Sequence, residues 1–180
     1  NGLHEFLSDK PHFVELAMQN KVYLKDVRKP KTKDNLHFWT GRIHQVKCPV
    51  IAVIGTDCAV GKRTSARFFT ELLNKNNKKA EMIYTGQTGW LQGGEYGFIF
   101  DSTLNDFVSG ELENAIVDCY LKENPDFIFL EGQSALRNPS GPCGSEFFVY
   151  GKAKYAVLVH PQKRVYYDER TLCRVGKKHL

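Results

Sequence analysis

The chain has 180 residues, 42% hydrophobic and 25% charged, with a formal net charge of +5. Those values describe one globular domain large enough to bury its own core, and they exclude collagen-like or disordered chains. No apolar run approaches the length of a bilayer span, and the amino terminus has no charged-then-apolar signal pattern, so a cytoplasmic protein without a membrane partner is expected.

The five cysteines (48, 58, 119, 143 and 173) are scattered, odd in number and without a C-x-x-C pair. That usage points to reduced thiols rather than a disulfide framework or a zinc site. The six histidines also lack metal-site spacing. Lysines and arginines crowd two segments, one from Lys21 to Lys33 and one from Lys163 to Lys178. Without an aromatic-interleaved basic motif they read as solvated faces that favour anionic small molecules, not as a nucleic-acid footprint.

In chain order, Ser8 or Asp9 offers a cap and Pro11 a first helical position, predicting a short helix over 8–20. "VYLKDVRK" alternates like a strand, "PKTKDN" reads as a loop, and "LHFWTGRIH" reads as a second extended piece. "CPVIAVIG" is a continuous apolar run, as in a strand buried on both faces of a parallel sheet. Ala66, Phe69, Leu72 and Leu73 then recur at helical spacing. "AEMIYTG" predicts a second strand, and "GQTGWLQGGEYGFIFD" a glycine-rich loop and candidate lid. From Ser102 a long helix is predicted, with Thr103 and Asp106 as a capping box and Gly110 as a break that would make two helices. "PDFIFLEG" and "AKYAVLVHP" are the third and fourth strands, separated by the loop "QSALRNPSGPCG". Strand–helix alternation predicts an α/β fold, a three-layer P-loop NTPase-like domain with a mainly parallel sheet. Residues 1–45 form a lead-in, 46–168 the P-loop domain, and 169–180 an unassigned basic tail. Ligands in such sheets lie at the carboxyl ends of the strands, where every special loop falls here.

The stretch Gly55, Thr56, Asp57, Cys58, Ala59, Val60, Gly61, Lys62, Arg63, Thr64 is the candidate cofactor-binding loop. Its glycines let the backbone curl, its N–H groups form an anion nest at a helix start, and Lys62 adds a point charge. It holds five residues between Gly55 and Gly61 where the usual loop has four, and Arg63 stands where a Ser or Thr normally touches Mg²⁺. Arginine cannot ligate a cation, so Thr64 and Glu131 are the metal candidates. Glu131 ends a buried strand and joins Lys62 as a catalytic candidate. Asp101, at the end of the glycine-rich loop, reads as a helix N-cap. Gln87, Thr88, Gln133, Ser134 and Arg137 are substrate candidates, with Trp90 and Asn138 beside them. Cys58 reads as a small loop residue whose backbone the nest needs. Asp106 and Glu113 read as caps or solvated charges.

"GTDCAVGK" resembles the loop of dethiobiotin synthetase and its relatives, G-T-D-T-x-V-G-K-T. A closer likeness rests on "GLHEFLSD", "GTDCAVGKRTS", "TGQTGWLQGG", "DSTLNDFVSGELE" and "LEGQSALRNPSG". In that order they resemble a prokaryotic P-loop family named domain of unknown function 1611, some of whose members carry the name D-glutamate N-acetyltransferase. The likeness spans about residues 1 to 168 and leaves "ERTLCRVGKKHL" unmatched. It implies an N-terminal companion domain and, for Asp101, a catalytic role as second metal ligand or base, and it aligns Asn138-Pro139 with a His-Pro in many members. Two cofactors follow as expectations: ATP with Mg²⁺, acting on a small carboxylate-containing metabolite, or acetyl-CoA for acetylation of an acidic D-amino acid. A non-catalytic nucleotide sensor and a homo-oligomer are left open.

Overall fold

A computed structural model describes residues 1–139 and 141–167. Four strands, β1 (Val50–Gly55), β2 (Ala80–Ile83), β3 (Phe127–Glu131) and β4 (Tyr155–Val159), form one sheet in the order β2-β3-β1-β4. All pairings are parallel, with Ala52 opposite both Leu130 and Ala156. Because successive side chains alternate across a strand, β1 feeds two cores at once. Val50 and Ala52 face one side with Ile83, Ile128 and Leu130. Ile51 and Val53 face the other with Ala80 and Phe129. The continuous apolar runs of β1 and β3 are thus those of strands covered on both faces.

Helix α2 (Lys62–Lys75) covers the second face. Ala66 is buried there, Phe69 and Leu73 pack beside it, and the Phe69 ring stacks on Phe129 at 5.8 Å. The other face carries α4 (Asn105–Glu123), whose Leu112, Ala115, Ile116 and Cys119 enter the larger core. Among the described residues there are also three short α-helices: α1 (Pro11–Gln19), α3 (Gln87–Leu91) within the glycine-rich loop, and α5 (Ser145–Val149).

The lead-in departs from its sequence pattern. Residues 22–29 form no strand, because no described strand lies beside them. They wrap Asp26, which accepts the N–H groups of Leu7 and Ser8 and the side-chain amide of Asn1. "LHFWTGRIH" also pairs with no strand, and ends in a 3-10 turn at Arg42–Gln45. It lies across α4, held by two buried glutamates. Glu111 takes Lys31 Nζ at 2.6 Å and the His37 backbone N–H at 3.0 Å. Glu113 takes the Thr40 and Ile43 N–H groups at 2.7 and 3.0 Å. Glu113 is therefore a buried anchor, not a solvated charge. Asp106 is exposed at the start of α4.

Helix α4 runs unbroken through Gly110. The Thr103–Asp106 capping box does not form: the N-cap is Leu104, and Thr103 Oγ1 donates to the Ile99 carbonyl at 2.7 Å. Helix α1 keeps Pro11 at its start but has Lys10, not Ser8 or Asp9, at the cap.

Candidate functional site

The carboxyl ends of β1 and β3 carry the loops that build the site. After β1, the chain turns sharply, and a Cβ at Gly55 would sit 2.7 Å from Val60 Cγ2. Ala59 and Gly61 have φ of 50° and 99°, so left-handed residues alternate with others along the curl, the geometry of an anion nest. Gly61 caps α2 without a side-chain bond, which leaves the first-turn N–H groups directed at the loop's interior.

Lys62 is buried, and its ammonium donates to the carbonyls of Asp57 at 2.6 Å and Ser134 at 2.7 Å. Burial lowers its pKa, with the fields of Cys58 and Asp57 opposing. The lysine thus joins the loops after β1 and β3. Ser134 reaches it with a left-handed φ of 36°, and its hydroxyl lies 3.5 Å from Cys58 Sγ.

Asp57 has no exposed surface. Its Oδ1 accepts the Cys58 N–H at 2.8 Å and the Asn138 side-chain amide at 3.1 Å. Its Oδ2 accepts Arg164 at 2.9 Å, and the same guanidinium donates to the Cys58 carbonyl at 2.6 Å. Thr56 Oγ1 lies 2.9 Å from His160 Nδ1. The segment after β4 therefore braces the loop from outside.

Glu131 ends β3 and is 4% exposed. It accepts the Thr85 N–H at 3.0 Å, and Thr85 Oγ1 returns a bond to the Glu131 carbonyl at 2.7 Å. Gln133 donates to that hydroxyl at 2.9 Å. Burial raises the Glu131 pKa, against the Thr85 amide and the Arg63 charge. Of the remaining candidates, Gln87 opens α3 and accepts Arg28 at 2.9 Å, while Thr88 is half-buried beside it. Asp101 pairs with that same Arg28 and is not the N-cap of α4. Thr64 and Arg137 are exposed. Among the described residues no three His, Cys, Asp or Glu side chains gather as a metal cluster.

Arg28, Thr85 and Arg164 were not legible as site residues in the sequence. Arg28 and Arg164 sit within basic crowds whose members look alike until the fold selects one of each. Thr85 follows a strand, and nothing in the sequence pairs it with Glu131.

A glycine-bounded, nest-shaped loop between strand and helix, with a buried lysine spanning two loops, is the arrangement of a P-loop domain of the α/β class. The P-loop domain model of the family named domain of unknown function 1611 matches residues 37–177, and the Rossmann-like N-terminal model of that family matches residues 1–30. This chain belongs to that family. The match also runs into the tail that its motifs left unmatched; residues 168–180 lie outside the described residues. A D-glutamate N-acetyltransferase from Pseudoalteromonas sp. is 29% identical over 88% of this chain and 46% of its own length. One of the same name from Tritonibacter scottomollicae is 29% identical over 92% and 48%. The crystal structure of a DUF1611 family protein from Anabaena variabilis superposes with a TM-score of 0.86 at 25% identity, covering 98% of this chain and 50% of that one. The chain spans about half the length of these relatives. No described helix is long and apolar enough to cross a membrane.

Proposed function

We propose that this chain supplies the phosphate-binding part of an N-acetyltransferase that moves an acetyl group from acetyl-CoA to the amino group of an acidic amino acid such as D-glutamate. The observation that carries this reading is Arg63. It stands where a P-loop magnesium site needs a hydroxyl, and its charge acts on Glu131, the acid such a site would use. Thr64, the substitute hydroxyl, is exposed one residue further along α2. This donor set fits Mg²⁺ poorly. An added arginine beside Lys62 instead suits a donor rich in phosphates. The names of the curated relatives support the same reading.

In this scheme the first-turn amides of α2 and the Lys62 ammonium hold phosphate oxygens. Acetyl transfer forms a C–N bond and breaks the thioester C–S bond, and the amine proton must leave. Glu131, at the end of β3, has its basicity increased by burial and is the group suited to take it. The charges of Lys62 and Arg63, both of which act on Glu131, favour an acidic acceptor over a basic one.

The test uses the full-length protein, acetyl-CoA and D-glutamate, reading release of free thiol. Turnover that disappears when either compound is omitted supports the proposal. No thiol release with any acidic amino acid, combined with tight Mg-dependent ATP binding, would assign the site to phosphoryl transfer instead.

A further inference from the structure

The phosphate loop is strained, and the strain is held from outside the loop. Ala59 has φ of 50°, a region a residue with a Cβ enters only when its surroundings enforce it. The preceding peptide bond shows the enforcement. In a trans peptide the carbonyl of Cys58 and the N–H of Ala59 point in opposite directions. Arg164 donates to the Cys58 carbonyl at 2.6 Å, so that carbonyl faces outward and the Ala59 N–H faces the nest. The same guanidinium nitrogen binds Asp57 Oδ2 at 2.9 Å, and Asp57 Oδ1 holds the Cys58 N–H at 2.8 Å. Two successive peptide units are thereby fixed by one ion pair, closed across 107 residues of chain. The pair is shielded: Asp57 is fully buried and the Arg164 side chain is 13% exposed.

We infer that Arg164 is a positioning residue for the phosphate cradle, acting through Asp57 and the Cys58 carbonyl rather than by touching the ligand. Asp57, a carboxylate at the edge of an anion site, is kept for the same purpose. Its negative charge opposes phosphate binding, while its hydrogen bonds shape the nest. The inference rests on the phosphate-cradle reading, but not on which phosphate-bearing cofactor is used.

The experiment measures binding of inorganic pyrophosphate to the full-length protein by calorimetry, with folding checked by thermal melts. Arg164→Gln is expected to weaken binding at least tenfold. Asp57→Asn distinguishes shape from charge. Removing a negative charge beside an anion should tighten binding if the pair acts only electrostatically; positioning predicts at least a fivefold loss. Arg164→Gln within twofold of wild type, or Asp57→Asn equal to or tighter than wild type, overturns the inference. Should either variant fail to fold, Arg164→Lys keeps the charge but not the guanidinium geometry. It is expected to bind three- to fivefold more weakly, and wild-type affinity there would equally overturn the inference. Because pyrophosphate is the probe, failure of the acetyl-transfer reading leaves this result intact, and thiol release by Arg164 variants reports on that reading separately.

Discussion

Gly110 lies directly beneath the backbone of His37: a Cβ built on it would sit 1.9 Å from the His37 carbonyl oxygen. That approach lets the lead-in cross α4 closely enough for Glu111 and Glu113 to take its N–H groups. Gly110→Ala forces backbone from backbone and loosens those bonds. A loss of about 3 kcal/mol is expected in urea unfolding, the upper part of the range for overpacking. A change below about 0.5 kcal/mol would show that the crossing is slack.

The two glutamates also set an acid limit. Burial alone would raise both pKa values, but the bonds from Lys31 and His37 to Glu111, and from Thr40 and Ile43 to Glu113, outweigh it and hold them low. A carboxylate depressed on folding adds stability that is present above its unfolded pKa, near 4.5, and is lost as pH falls through the folded value. The double variant Glu111→Gln, Glu113→Gln should be less stable at neutral pH and show a shallower decline below about pH 5. Equal acid slopes for both proteins would remove the glutamates from this role.

Glu131 has the opposite sign. Its folded pKa is raised, so the folded state keeps the proton longer and loses stability as pH rises from about 4.5 through the folded value. Glu131→Gln should therefore be no less stable than wild type at pH 7. With Glu131 as base, kcat for acetyl transfer should fall by about 10²–10⁴ while the KM for acetyl-CoA stays within about threefold. A matching rise in KM would make Glu131 a support of the Thr85–Gln87 turn instead.

Lys62→Met separates binding from folding. Burial disfavours the ammonium, so removing it releases a cost while giving up two bonds to carbonyls. Stability is expected to stay within about 1 kcal/mol, and pyrophosphate affinity to drop roughly 10- to 100-fold, as for a lost charge-assisted bond. Unchanged affinity would place the anion elsewhere.

Arg28→Met tests the tie between the lead-in and the glycine-rich loop that carries α3. Arg28 joins Gln87 to Asp101, which is half-exposed, so a modest loss of about 1–2 kcal/mol is expected. Hydrogen exchange should accelerate over residues 86–93. Protection unchanged there would show that α3 holds its place without Arg28.

The sequence carried the parallel sheet because burial on both faces writes an unbroken apolar run, as at Val50–Gly55 and Phe127–Glu131. It carried the nest because glycine spacing and a terminal lysine are local features. The partners of the acids are not local. Asp101 reads as a cap or base until Arg28 arrives from 73 residues away. Glu113 reads as a surface charge because nothing in α4 announces a segment lying over its outer face. The alternation in "VYLKDVRK" is real, but a strand also needs a neighbour, and Asp26 instead draws its hydrogen bonds from residues 1–8.

The strand order has a consequence for how the chain is made. β1 pairs only with β3 and β4, both of which follow it. After Gly55 about seventy residues must be synthesised before Phe127 begins its first partner, a wait of roughly 4–14 s at ribosomal rates of about 5–20 residues per second. Throughout that interval the most apolar strand of the domain, with the phosphate loop at its end, has nothing to pair with. A nascent chain paused before Phe127 therefore carries its most apolar strand unpaired, the form of the chain most open to aggregation.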